Sequence, residues 1–262
     1  MTDVIATNYY RTFSRSHPVL ARIKPDERVF TKTLDSGGQD LDGKHLSESG
    51  NPLTGPFYVE GAALGDSISV HLHKVKLNRD WGYTSIRLGL VSLTPELVEN
   101  VYSSEYKHDL VRKGRADILP WDIDLKRNTV RPRKPESDTS SLEFTAQPML
   151  GCIGVAPEGD FSPTSGPSGP YGGNIDYNQI AEGSTVHLPV YQEGALLYVG
   201  DGHALQADGE PLGTGIETSM DVEFSVTVNK GSGLTGVRVE TETHLISVGS
   251  QPEFASSLNR GL

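Results

Sequence analysis

A single cysteine, Cys152, occurs in 262 residues. An internal disulfide is therefore excluded, and the composition fits a reducing cytosol. There is no run of 18 apolar residues, so no membrane-spanning helix is expected. The stretch from Met1 to Tyr10 has no basic segment followed by an apolar one, so no secretory leader is expected. Basic residues are the minority: 23 Lys and Arg face 34 Asp and Glu, a net charge of -11. Nucleic-acid phosphates need a basic footprint, which this chain does not offer, and an anionic membrane surface is disfavoured too. A small neutral ligand would be indifferent to the charge. Phosphate-binding loops, dinucleotide fingerprints, His-Glu-x-x-His, zinc-ribbon cysteines and long repeats are all missing.

Glycine and proline are plentiful, at 29 and 16, and they punctuate short alternating stretches. Ser67 to His73 alternates strictly, with Ile68, Val70 and Leu72 on one face and His71 and His73 on the other. The apolar phase then moves to Val75 and Leu77, which predicts a β-bulge near Lys74. Further strands are expected at 28–34, 57–60, 184–190, 195–199, 221–228 and 237–248, with a hairpin turning at Arg127-Asn128. One helix start is visible at Thr94-Pro95, with Thr94 as N-cap and Leu93 and Val98 as a staple, running to about Ser103. The expectation is a mostly β fold, a β-sandwich or distorted barrel with one or two short helices. Its length suits one domain over 1–262, or two intimate β subdomains of about 1–140 and 141–262.

The densest chemistry lies in Val199 to Glu217, where Asp201, His203, Asp208, Glu210 and Glu217 follow an apolar strand and are interleaved with glycines. Carboxylates and an imidazole so grouped are what a divalent cation needs. Gly-Asp-Gly and Asp-Gly-Glu are also ordinary turn chemistry, and the residue types alone leave both readings open. His71 and His73, two apart on a strand face, lie roughly 7 Å apart and could each ligate a metal or merely be solvated. Gly172-Gly-Asn174 follows a Pro/Gly/Ser-rich loop. Its backbone N–H groups and the Asn174 amide suit a developing oxyanion, or simply a turn. Cys152 lies in an apolar run and reads as an inert core thiol rather than a nucleophile.

Gly200-Asp-Gly-His-Ala-Leu-Gln-Ala-Asp-Gly-Glu210 followed by Thr214-Gly-Ile-Glu217 resembles the signature of the acetamidase/formamidase family. Thr33-Leu-Asp-Ser-Gly-Gly-Gln39, Gly55-Pro-Phe-Tyr-Val-Glu-Gly61, Gly65-Asp66 and Gly172-Gly-Asn-Ile-Asp176 are family-like blocks in the same order. Ala207 departs from a glycine in that pattern. The resemblance implies hydrolysis of a short aliphatic amide, formamide or acetamide, to carboxylate and ammonia, and it adds Asp35 as a candidate ligand. With the residue reading it gives Asp35, His71, Asp201 and His203 as metal ligands, Glu217 as acid/base and Asn174 as oxyanion donor. Zinc is the expected metal, with calcium at a second, oxygen-rich site as a further option. The alternatives are a metal-stabilised binding protein without turnover and a hydrolase of cyclic amides. Long alternating strands near the C-terminus and several exposed edges suggest a homodimer that buries those edges, and the cysteine usage suggests a cytoplasmic one.

Overall fold

The structure is a computed structural model and describes residues 1–85, 118–133, 142–210 and 213–250. The helix expected over Thr94 to Ser103 lies outside these residues, as do most of the 132–141 linker and the tail from Gln251. Among the described residues there is no helix, and eighteen strands are present. In chain order the first nine are β1 (Thr2–Asp3), β2 (Ala21–Ile23), β3 (Val29–Lys32), β4 (Leu53–Val59), β5 (Ser67–Leu77), β6 (Trp81–Ser85), β7 (Ile118–Asp124), β8 (Thr129–Pro132) and β9 (Phe144–Thr145). The rest are β10 (Met149–Val155), β11 (Ser168–Gly169), β12 (Gly172–Asn174), β13 (Thr185–Pro189), β14 (Leu197–His203), β15 (Glu217–Thr218), β16 (Met220–Asn229), β17 (Val237–Glu240) and β18 (Leu245–Val248).

They form two open sheets. One has seven strands in the order β1-β3-β16-β5-β13-β17-β18. The other has eleven, in the order β11-β12-β10-β14-β15-β6-β7-β8-β9, with β4 pairing β14 and β2 pairing β4. Strands from both halves of the chain mix in both sheets. The core lies between them. Ile68, Val70 and Leu72 of β5 and Val222, Phe224 and Val226 of β16 are buried, as their alternation requires. Phe224 meets Phe57 of β4 edge-on across the core, with ring centroids 5.2 Å apart.

The expected bulge is present. Glu223 pairs with Lys74 and Phe224 with Leu72, so His73 is the extra residue. The hairpin turning at Arg127-Asn128 joins β7 to β8. Two expectations shift. Strand β4 begins at Leu53 rather than Phe57, taking in Gly55-Pro56, which reads as loop from composition alone. Strand β14 runs on through Asp201 and His203, which lie within the sheet rather than in the loop beyond it.

Candidate metal and catalytic centre

The site is built where β14 crosses β10 and β15. Strand β14 pairs with β15 so that His203 stands opposite Glu217, and with β10 so that His203 stands opposite Met149. Asp201, His203 and Glu217 are all buried, and each offers a ligand atom within 4.8 Å of the others. Asp176 and Glu210 form a second such group around the same His203. His203 Nε2 lies 3.1 Å from Glu217 Oε1, 3.6 Å from Asp201 Oδ1 and 4.0 Å from Glu210 Oε1. Its Nδ1–H donates to Gln206 Oε1 at 2.8 Å, and Gln206 Nε2 donates to the Asp176 carbonyl at 2.6 Å. One ring nitrogen is thereby committed, and the other faces the carboxylates.

The carboxylates are held from outside the cluster. Asn51 Nδ2 donates to Asp201 Oδ2 at 3.2 Å and to Asn174 Oδ1 at 3.1 Å. Asn174 Nδ2 donates to Asp176 Oδ2. Thr214 Oγ1 and the Gly215 N–H each donate to Glu217 Oε1 at 3.1 Å. Asn51, Asp176, Asp201 and Glu210 have φ of 51°, 47°, 56° and 43°. Asn and Asp enter this left-handed region more readily than other side-chain-bearing residues, so Glu210 is the least expected of the four.

This packing leaves three buried carboxylate oxygens, Asp176 Oδ1, Asp201 Oδ1 and Glu217 Oε2, without a hydrogen-bond partner among the described residues. Buried anionic oxygens left unpaired are costly, and one imidazole cannot neutralise four acids. Burial, and then the charge of Asp201, pushes Asp176 up to about 8. Burial raises Asp201 as well, and takes Glu210 up to about 7. Burial opposes charging of His203, but the Glu217 and Asp201 carboxylates outweigh it and raise the imidazole well above its ordinary value. The donor set of carboxylate oxygens plus one imidazole nitrogen fits a divalent cation.

The structure brings Asp201, His203, Glu217 and Asn174 together. It does not bring His71 to them. His71 Nδ1 lies 3.0 Å from Thr185 Oγ1 in the seven-stranded sheet, and its ring meets His73 edge-on with centroids 4.5 Å apart. Asp35 is near the site but occupied. Its Oδ2 accepts from Arg79 Nη2 at 2.6 Å, with both side chains buried, and its Oδ1 accepts from the Gln39 N–H at 2.8 Å. The Arg79 guanidinium stacks 3.6 Å from the Trp81 ring centre. Asp208 is exposed and accepts from Asn178. Cys152 donates its thiol to Asn174 Oδ1 at 2.8 Å, and burial, then Asp201 and Asp176, raise it well above the usual thiol range.

Several participants had no role assigned from sequence, among them Asn51, which holds Asp201. Asp176 sits two residues past Asn174 in a quoted block, and Gln206 and Glu210 lie inside the signature. Tyr83 stands opposite Glu217 across β6 and β15, its hydroxyl 3.0 Å from Ser36 Oγ.

Comparison with known proteins shows what the chain is similar to. The Acetamidase/Formamidase family model matches residues 162–258, which carry Asn174, Asp176 and the whole Asp201 to Glu217 stretch. A Schizosaccharomyces pombe protein described as a formamidase is 26% identical over 95% of this chain and 70% of its own length. The formamidase of Methylophilus methylotrophus is 27% identical over 74% of this chain and 57% of its own length, so the chain spans little more than half of that relative. The crystal structure of a predicted acetamidase/formamidase from Thermoanaerobacter tengcongensis superimposes with a TM-score of 0.78 at 28% identity, over 99% of this chain and 80% of that one. The resemblance read from the sequence thus recurs in sequence and structure alike: it is to the acetamidase/formamidase family.

Proposed function

We propose that the chain is a cation-dependent amidohydrolase that cleaves the C–N bond of short linear amides, of the formamide or acetamide kind, to carboxylate and ammonia. The observation that carries this reading is the set of three unpartnered buried carboxylate oxygens around His203, within the segment that matches the family. Asp201 and His203, with Asp176 and Glu210, would hold the cation, and zinc suits their mixed oxygen and nitrogen donors. A divalent ion bound there would supply an acidified water and a polarised carbonyl.

The protein's own groups do the rest. Glu217 Oε1 is fixed by Thr214 and Gly215, which leaves Oε2 to take a proton from the attacking water and return it to the departing nitrogen. Burial opposes ionisation of Glu217, but the His203 charge and hydroxyl hydrogen bonds outweigh it and lower the carboxyl below its ordinary value. Such a group is ionised and ready to accept a proton at neutral pH. Asn174, expected to hold an oxyanion, is read here as the residue that orients Asp176. Asp35 is read as the partner of Arg79 and His71 as part of a polar sheet face. No described helix is long and apolar enough to cross a membrane. A cytosolic homodimer acting on a small neutral amide completes the proposal, and light scattering reports its subunit count.

The test is ammonia release from formamide, acetamide and longer amides, before and after chelation and zinc re-addition. Release that is lost on chelation and regained with zinc supports the reading. Release that survives complete stripping removes the cation from it.

A further inference from the structure

Gly151 occupies the middle of β10, between Leu150, which pairs with Gly202, and Cys152, which pairs with Gly200; it therefore lies beside Asp201. Its backbone does not call for glycine, because its φ lies outside the left-handed region. The space above it does. A Cβ placed on Gly151 would sit 2.5 Å from Asp176 Oδ1 and 2.5 Å from Asp201 Oδ2. Moving either carboxylate would disturb a hydrogen bond, since Asn174 Nδ2 donates to Asp176 Oδ2 and Asn51 Nδ2 to Asp201 Oδ2. The Gly151 carbonyl also accepts the N–H groups of Ile175 at 2.9 Å and Asp176 at 3.2 Å. One residue thus anchors the main chain that carries Asp176 and leaves bare the surface on which both carboxylates rest. Gly215 repeats the arrangement on the opposite wall, where a Cβ would meet the His203 ring at 2.7 Å.

We infer that Gly151 is a positioning residue of the cation site: its missing side chain lets Asp176 and Asp201 converge on one ion. The inference rests on the cation reading proposed above. A merely structural glycine would affect stability alike whether or not the two carboxylates are present. A positioning glycine acts through them.

The test is a mutational cycle on the full chain with two readouts. In zinc titration calorimetry of the metal-stripped protein, Gly151→Ala should weaken zinc binding at least tenfold, in the range typical of residues that orient ligands. In thermal unfolding without metal, Gly151→Ala should lower the midpoint in the parent but not in an Asp176→Ala/Asp201→Ala background, where the Cβ meets no carboxylate. Parent-like zinc affinity in Gly151→Ala overturns the inference and leaves the cation reading intact. An equal drop in midpoint in both backgrounds also overturns it, and can be read even if Gly151→Ala folds poorly at assay temperature. A parent protein that binds no divalent cation removes the cation reading and this inference with it.

Discussion

The His203 imidazole donates from Nδ1 to Gln206 Oε1 at 2.8 Å, and so presents Nε2, not Nδ1, to Asp201 and Glu217. The amide that sets this tautomer also reaches the Asp176 carbonyl. Gln206→Ala should therefore weaken zinc binding about 10- to 100-fold, the usual effect of removing an outer partner of a ligating histidine. Calorimetry measures it, and an unchanged affinity would show that the imidazole needs no such guide.

Glu217→Gln keeps the shape of the side chain and removes its proton-accepting oxygen. Ammonia release should fall at least a hundredfold, the scale of general acid–base catalysis, while zinc stays bound. Loss of zinc together with activity would instead make Glu217 a ligand.

Asp35→Asn discriminates a ligand from a partner of Arg79. Both side chains are buried, so the substitution leaves a guanidinium without its anion, at a cost of about 3–5 kcal/mol in unfolding free energy. Zinc affinity should be unchanged. A stable variant that no longer binds zinc would return Asp35 to the metal.

Cys152→Ala should retain ammonia release. The buried thiol stays protonated and donates to Asn174, so it has no thiolate with which to attack. A loss of stability of about 1 kcal/mol is expected, the size common for single substitutions. Abolished turnover in a folded variant would restore the nucleophile.

The cation-free protein should lose stability as pH rises from about 4 to 8. Asp176 and Glu210, raised by burial to about 8 and 7, keep protons that the unfolded chain has already released in this window. His203, raised by Glu217 and Asp201 against the effect of burial, works in the same sense, its contribution fading as pH rises above its ordinary 6.5. Glu217, lowered, runs oppositely, its contribution being lost only as pH falls below its ordinary 4.5. Urea unfolding against pH should show a slope of up to about 1.4 kcal/mol per pH unit for each proton concerned, shallower in Asp176→Asn. Identical slopes in the two proteins would contradict the assignment.

Much of the fold could be read locally. Alternation located β5 and β16, and the slip of apolar phase after His73 located the bulge, because a residue looped out of a ladder inverts every side chain beyond it. Strand β4 was cut short because Gly55-Pro56 looks like a turn when its partner β14 is out of view. In the site, Asp201, His203 and Glu217 share one glycine-rich stretch, so sequence proximity brought them together. Asp176 arrives from β12, and nothing nearby in sequence ties it to His203. Alternation put His71 on the face away from the core but could not say which neighbours that face meets. Asp35 stood just past a strand like a ligand, and its commitment to Arg79 depends on a residue reached only through β4 and β5.

Strand β16 lies between β3 and β5 in the finished sheet, yet both neighbours precede it in the chain. During synthesis they wait with facing edges open, hydrogen-bonding groups turned toward a strand that has not left the ribosome. Glu217 comes just before β16, so the last carboxylate of the candidate site arrives together with the strand that joins β3 to β5. Assembly of this site is thereby tied to a late, long-range pairing, the kind of step that folds slowly and gives chaperones an edge to guard.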